Sequence, residues 1–387
     1  MSTDLVPPTS RRWPRRTAYG IAGLALLVPT STVSAGWYFA NQVLDARPRE
    51  YPLDVRGFDG SSVILPRTDD TQRDVPYGFG WFAGHARLGK VLATHRTTVV
   101  RTVEEVTRGT LQRGIRGYVS SAVFDGDPLT ARGLDFEEVT VPGEGGPLPA
   151  WLVAGSTSAV PGGSSTWVIA VHGRGGSRTE ALRVLPTIAA AGRPTLVVTY
   201  RNDEGAPPSR DRRYHLGAGE WRDVAAAIGY ARSRGATGVV LYGWSMGGSA
   251  ALMTMRRSEE AALVRALILD CPALDWSATL RRAARRRNLP APLAWAAMRL
   301  IEQRIGHTLA ELNQVRHVGS LRVPTLIFLD GDDLVVDPAP TRLFARLRPD
   351  LVRLIETSGG GHTRSWNADP ARYESELAGF LANSVPA

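Results

Sequence analysis

Two rhythms of apolar and polar positions divide this chain. From residue 134 onward, short apolar runs recur at Phe136–Val141, Leu148–Val153, Thr166–Val171, Pro194–Thr199, Gly238–Tyr242, Ala266–Leu269, Pro324–Leu329 and Val352–Ile355. Most are separated by stretches whose apolar residues fall at helical spacing. Trp221, Val224, Ile228 and Ala231 form one such stripe, and Gly235 follows as a C-terminal stop. Strands alternating with helices predict a mostly parallel, eight-stranded sheet with helices on both faces, and the first two runs read as a strand pair. In sheets of this kind the functional groups gather beyond the carboxyl ends of the strands.

Residues 50–133 follow the other rhythm. Short β-type runs (Tyr51–Val55, Ser62–Leu65, Gly78–Phe82) and the Thr/Val-rich stretch Thr97–Val106 alternate with Gly and Pro punctuation. This predicts a small β-rich accessory region. His85 and His95 stand isolated in it and read as surface or packing residues rather than ligands.

The N-terminal segment is different again. Residues 1–16 form a basic stretch with Arg11, Arg12, Arg15 and Arg16, whereas 17–44 carries no charge and includes the strongly apolar Ile21–Val28. That length spans a bilayer, although Pro29 and the run Ser31–Ser34 dilute it. Trp37, Tyr38 and Phe39 sit where an interfacial aromatic belt is expected. Beyond the segment Asp45, Arg47, Arg49 and Glu50 cancel, so the positive-inside rule predicts a single-pass membrane anchor with the bulk of the protein outside the cytoplasm. Two rival readings stand beside it. Val33-Ser34-Ala35 is an acceptable cleavage site, which would make this a removed signal peptide and the protein secreted. Ser10-Arg11-Arg12 hints at a twin-arginine signal, but Pro14 falls where an apolar residue is wanted.

At 387 residues and 43% hydrophobic content, the chain can build one large domain beside the accessory region. The net charge of +9 is carried almost wholly by arginine. Outside the N-terminus the basic residues are scattered among acids without interleaved aromatics, which argues against nucleic-acid binding. Cys271 is the only cysteine, excluding an internal disulfide and any Cys-based metal site, and its place after an apolar run predicts burial.

The chemistry concentrates at Gly243-Trp244-Ser245-Met246-Gly247, a G-x-S-x-G pattern between an apolar run and the helix-compatible Ser249–Met253. A strand that ends in serine and turns at once into a helix needs strained backbone and small flanking residues. This nucleophile elbow lifts the Ser245 hydroxyl above the sheet edge. The other strand ends supply what such a serine requires. His172-Gly173-Arg174-Gly175-Gly176 exposes backbone N–H groups, and the N–H of Arg174, with that of Met246, is expected to form an oxyanion hole. His172 itself is expected to order this loop. In Asp330-Gly331-Asp332-Asp333, Asp333 is the expected acid, with Asp332 the runner-up. Thr357-Ser358-Gly359-Gly360-Gly361-His362 offers His362 as general base. The order Ser245, Asp333, His362 along the chain matches the Ser…Asp/Glu…His order and not those of the two major serine-protease folds.

From about residue 134 to the C-terminus the chain resembles a bacterial α/β-hydrolase, on the HGRGG turn, the YGWSMGG elbow, the GDDLVV acid loop and Gly361–Asn367. More narrowly, Tyr214-His215-Leu216-Gly217, Glu220-Trp221 and the His-Thr-Arg-Ser-Trp-Asn segment are similar to membrane-anchored hydrolases distantly related to prolyl-oligopeptidase-like and lysophospholipase-like enzymes. The resemblance implies an α/β-hydrolase catalytic domain over 134–387 and serine esterase or peptidase chemistry without a cofactor. It further implies a helical cap at about 275–318.

Within that cap Arg281, Arg282, Arg285, Arg286 and Arg287 cluster near Leu293, Trp295, Met298 and Ile301, which suits either an anionic lipid surface or a solvated helix face. At the expected pocket rim, Arg201 and Asp203 could hold a carboxylate and an amine, or simply pair with each other. His215 is expected to cap or pack its loop. No clustered ligand spacing calls for a metal. The expected function is therefore hydrolysis of carboxylic esters, a small-molecule or lipid ester being the partner, through an acyl-enzyme. A serine peptidase of prolyl-oligopeptidase-like type is the nearest alternative, thioester cleavage also being possible, and a catalytically silent envelope binding protein is the alternative from another class.

Overall fold

The computed structural model describes residues 36–46, 49–156 and 164–385. A helix over residues 36–44 (α1) precedes seven strands: β1 (Leu53–Asp54), β2 (Gly57–Phe58), β3 (Ser62–Pro66), β4 (Tyr77–Trp81), β5 (Gly84–Thr94), β6 (Thr98–Arg108) and β7 (Arg116–Ser120). These pair antiparallel in one sheet of order β1-β7-β4-β5-β6-β3-β2. After α2 (Pro128–Arg132), the hairpin β8 (Phe136–Gly143) and β9 (Gly146–Val153) opens a second sheet. It continues through β10 (Thr166–Val171), α3 (Leu185–Ala190), β11 (Thr195–Val198), α4 (Trp221–Ser233), β12 (Gly238–Trp244), α5 (Met246–Arg257) and β13 (Val264–Asp270). The helices α6 (Trp276–Arg286) and α7 (Ala291–Ile305) follow, then β14 (Thr325–Asp330), α8 (Pro338–Leu347), β15 (Val352–Thr357), α9 (Ser365–Ala368) and α10 (Pro370–Asn383).

The eight strands run in the order β15-β14-β13-β12-β10-β11-β9-β8, parallel except where β9 meets β8 and β11. Successive side chains on a strand point to opposite faces, so each central strand feeds two cores. Ile169, Val171, Val239 and Leu241 pack with Val224, Ile228 and Ala251 of α4 and α5. Their neighbours Val168, Ala170, Val240 and Tyr242 pack with Leu185 and Ile188 of α3 and with Tyr373 and Leu377 of α10. Burial on both faces is why these strands read as unbroken apolar runs rather than as alternations.

The smaller sheet builds a separate core on one face from Val63, Leu65, Tyr77, Phe79, Trp81, Ala86 and Leu88. Arg101 lies wholly buried beside it and donates to the carbonyls of Thr71 (3.0 Å), Arg73 (2.6 Å), Val75 (2.5 Å) and Gly89 (2.5 Å). A buried guanidinium is tolerated because four backbone acceptors replace its hydration. In return it shapes the 71–75 loop.

Most of the expected membrane segment 17–44 falls outside the described residues. Its described end, α1, packs on the large domain: Ala40 and Leu44 are fully buried, and Trp37 lies under the Arg304 guanidinium of α7. Among the described residues no helix is long and apolar enough to cross a membrane.

Candidate active site

Ser245 sits between β12 and α5 with φ 51° and ψ −114°, a left-handed backbone that an L-residue adopts only under strain. Surrounding contacts hold it there. The Ser245 N–H donates to the Asp270 carbonyl at 2.9 Å, locking the end of β12 to β13. Glycine at 247 is compulsory, since a Cβ there would lie 2.1 Å from the Val171 carbonyl oxygen; one at Gly243 would lie 2.6 Å from the Gly248 nitrogen. The turn thus brings α5 hard against the end of β10. Met246 opens α5, so its N–H is one of those the helix leaves without an internal acceptor.

Three strand ends meet at this serine. Ser245 Oγ lies 2.8 Å from Nε2 of His362, whose Nδ1 lies 2.7 Å from Oδ2 of Asp333. Asp333 is fully buried, and its Oδ1 accepts from the N–H groups of Val335 (2.7 Å) and Val336 (2.9 Å). Those donors stabilise the carboxylate and fix its free oxygen toward the imidazole. The runner-up, Asp332, faces elsewhere and accepts from the Gly359 N–H at 2.8 Å. Asp330 accepts from the Gly360 N–H at 3.0 Å and from Asp332's own N–H at 2.9 Å. Two acids therefore tie the β14 and β15 turns together, and the third meets the histidine. Cys271 is buried, burial pushing its thiol well up, and its sulfur lies within 4.8 Å of ligand atoms of Asp333 and His362.

The glycine turn after β10 lies beside the serine: a Cβ on Gly173 would come within 3.2 Å of Ser245 Cβ. The Gly173 carbonyl accepts from His172 Nδ1 at 2.8 Å, from the Tyr200 hydroxyl at 2.9 Å and from the Gly176 N–H at 3.0 Å. Because a carbonyl only accepts, Nδ1 must carry a proton. The other ring nitrogen faces the Asp203 carboxylate at 2.7 Å. Burial disfavours charge on this ring, but Asp203 and the Gly173 carbonyl outweigh it, and His172 titrates above its ordinary range. Tyr200 stacks on the imidazole at 4.3 Å between centroids. On the opposite side of the loop, the Gly173 N–H donates to Glu180 at 2.9 Å.

A serine on a strained strand-to-helix turn, served by an imidazole and a buried carboxylate from later strand ends of a parallel sheet, is a family-level arrangement. The chain belongs to the alpha/beta hydrolase family. That family's profile matches residues 168–376. A second profile, described only as a domain of unknown function, matches 54–120. No curated protein matches the chain by sequence. Among solved structures, an esterase of Pyrococcus furiosus is similar at 18% identity, covering 68% of this chain and 96% of that one, with a TM-score of 0.53. A puromycin-hydrolysing peptidase of Mycobacterium tuberculosis is similar at 17% identity and a TM-score of 0.52, covering 85% of this chain and 46% of that one. The protein is accordingly a hydrolase by family, and its fold is similar to that of an esterase and of a peptidase.

In this hydrolase the accessory sheet reaches into the site, which sequence reasoning did not anticipate. Arg73, on the loop shaped by Arg101, donates to the carbonyls of Gly359 (3.0 Å) and Asp332 (3.2 Å). Asp70 pairs with Arg364 at 2.7 Å, and Asn367 donates to the carbonyls of Pro76 (2.7 Å) and Ser121 (3.1 Å). Asn367 is in turn held by the buried Arg183, which also donates to the Thr363 carbonyl at 2.9 Å. A cavity of about 360 Å³ opens over Ser245 and His362, with Arg49, Glu50, Tyr118 and Ser121 on the accessory side and the 173–177 turn opposite.

Several expectations at the rim are corrected. Arg201 and Asp203 do not pair with each other and neither is left for substrate. Arg201 is committed to the buried Asp223 at 2.7 Å, because that carboxylate needs a cation, and Asp203 is committed to His172 and the Tyr200 N–H. The arginine cluster of α6 is likewise not simply a lipid-facing or solvated patch. Arg282 donates to the Asp333 carbonyl at 2.7 Å and Arg286 to the Leu334 carbonyl at 3.0 Å, so α6 braces the 330–334 turn. His215 contacts Asp211 at 3.2 Å, and His85 is buried on the Thr107 hydroxyl at 2.8 Å.

Proposed function

We propose that this hydrolase cleaves carboxylic esters with Ser245 as nucleophile, His362 as general base and Asp333 as the orienting acid. The observation that carries the reading is the hydrogen-bonded line Ser245–His362–Asp333, 2.8 and 2.7 Å long, mounted on a strained elbow. Ser245 gives its proton to His362 Nε2 while Oγ attacks the acyl carbon. Asp333 holds the Nδ1 proton and stabilises the imidazolium that forms. The backbone N–H groups of Arg174 and Met246 receive the oxyanion, each lowering the barrier by roughly 3–4 kcal/mol. His362 returns the proton to the leaving alcohol, and water activated by the same ring then releases the acid from the acyl-enzyme. A fluorophosphonate probe should label wild-type protein and not Ser245→Ala, and Ser245→Ala should lose ester turnover. Absence of labelling on folded wild-type protein would instead favour a non-catalytic binding role.

Esters are favoured over peptides by what encloses the site: one small antiparallel sheet forms one wall of a cavity of about 360 Å³. Ester, thioester and amide substrates with one acyl group in common separate the three chemistries; amide turnover equal to ester turnover would establish the peptidase.

The proposed setting is the outer face of a cell membrane. Its support is the uncharged 17–44 segment behind four arginines, with the portion entering the bilayer ending before α1, since Ala40 and Leu44 are buried in the large domain. Retention in the membrane pellet after a high-salt wash is expected, and release would point to a cleaved signal.

A further inference from the structure

We propose that the accessory sheet carries an extended binding groove for the apolar tail of the ester substrate. The groove encloses about 870 Å³ and is bordered by Tyr51, Pro52, Trp81, Phe82 and Ile115. This inference rests on the ester-hydrolase reading of Ser245.

Three observations support it. The groove adjoins the cavity over Ser245, and Glu50 and Pro52 line both. At the junction the Tyr51 ring meets the Tyr118 ring edge-on, 5.7 Å between centroids, and Tyr118 borders the Ser245 cavity. Arg49 straps the same place, donating to the Tyr118 hydroxyl at 2.6 Å and to the Gly175 carbonyl at 3.3 Å, so the groove's inner end is fixed to the glycine turn.

The walls are also built for an apolar occupant. Phe82, at the tip of the β4–β5 hairpin, is 90% exposed, and a large ring held in water gains by covering an apolar ligand. A Cβ on Gly84 would lie 2.1 Å from the Trp81 ring, so glycine there lets the indole lie against the backbone. Gly109 has φ 74°, and its Cβ would lie 2.5 Å from the Ala83 carbonyl oxygen, so the chain comes close beneath the hairpin. Among the described residues the charged ones on the lining are Glu50 and Arg116, and the Arg116 Nε donates to the Tyr51 carbonyl at 3.1 Å. An alkyl or aromatic chain fits this lining, and the shared wall with the Ser245 cavity makes the tail of the substrate the occupant.

The test compares steady-state kinetics of the full chain on two ester series, one with a lengthening acyl group and one with a lengthening alcohol. In at least one series KM should fall with tail length, up to about fourfold for each buried CH₂. Phe82→Ser, which removes only an exposed ring, and Ala83→Asp, which places a carboxylate at the groove, should both flatten that dependence. Thermal melts of both variants should match the wild type, which separates a lost groove from a lost fold. Wild-type dependence on tail length retained in both variants would overturn the groove while leaving the serine chemistry intact. Loss of all ester turnover in the wild type would instead overturn the ester-hydrolase reading.

Discussion

His172 Nδ1 donates to the carbonyl oxygen of Gly173 at 2.8 Å, and this contact sets which way the next N–H points. The carbonyl and the Arg174 N–H belong to one planar trans peptide, so pinning the oxygen to His172 and Tyr200 turns the N–H the other way. The proposed oxyanion donor is thus aimed by a buried ion pair behind the loop. His172→Gln should lower kcat and kcat/KM together by about 10- to 100-fold, with KM little changed, since a small misplacement of a donor is felt in the transition state. The ring holds its extra proton below its raised pKa and loses it as pH rises through that value, leaving Asp203 or the carbonyl without a donor. Wild-type activity should therefore decline on the alkaline side. A variant with undiminished kcat and the same alkaline limb would remove His172 from the mechanism.

The three aspartates of the 330–333 turn should respond unequally. Asp333→Asn is expected to reduce kcat by about 10⁴-fold with the fold intact, because the amide no longer holds the working tautomer of His362. Asp332→Asn should lose only part of one hydrogen bond to Gly359, about 1 kcal/mol of stability, and most of its activity should remain. Paired kinetics and thermal melts of the two variants check this, and a reversed ranking would transfer the acid role to Asp332.

Arg73 links the accessory sheet to both loops of the proposed triad through Asp332 and Gly359. Arg73→Ala should cost about 1–3 kcal/mol in urea unfolding. It should also lower kcat by roughly tenfold, as acid and base lose their common brace. Unchanged kcat at lower stability would make the contact purely structural.

The elbow glycines can be separated from ordinary helix glycines. Gly247→Ala places a methyl group 2.1 Å from the Val171 carbonyl oxygen, and should destabilise by about 3 kcal/mol or more. Gly379→Ala, in α10 with nothing within 4 Å of its Cβ, should stabilise by up to about 1 kcal/mol. Denaturant midpoints of the two variants should move in opposite directions.

Asp270 is completely buried, and burial pushes its carboxyl up to about 6 from an ordinary 3.8, while the Tyr373 hydroxyl donates to it at 3.0 Å. Between pH 4 and 6 the folded chain therefore holds a proton that the unfolded chain releases, so this group's contribution falls as pH rises and is constant above the window. The shift corresponds to on the order of 3 kcal/mol at neutral pH. Asp270→Asn, which keeps an acceptor for Tyr373, should gain stability relative to the wild type between pH 4 and pH 8 by up to that amount. An equal pH slope in both proteins would show that Asp270 stays ionised.

What the sequence determined by itself follows from short-range physics. Apolar runs of strand length between helical stripes are enough for a two-sided parallel sheet. Gly243 is required by the elbow's own turn, since a Cβ there would meet the Gly248 nitrogen. The groups at the strand ends could be named because a parallel sheet delivers all its carboxyl ends to one edge.

Partner choice was decided only by the tertiary structure. Asp330, Asp332 and Asp333 are chemically alike and close together, and the packing of β14 against β15, with Arg73 and Arg282 on the same turns, brings one of them to His362. Asp203 sits 31 residues from the imidazole it charges, and Asp70 and Arg73 lie nearly three hundred residues from the loops they grip. Such pairings carry no local periodicity or spacing, so no sequence pattern announces them. They exist because folding closes long loops and brings each charge to acceptors or counter-charges that lie far along the chain.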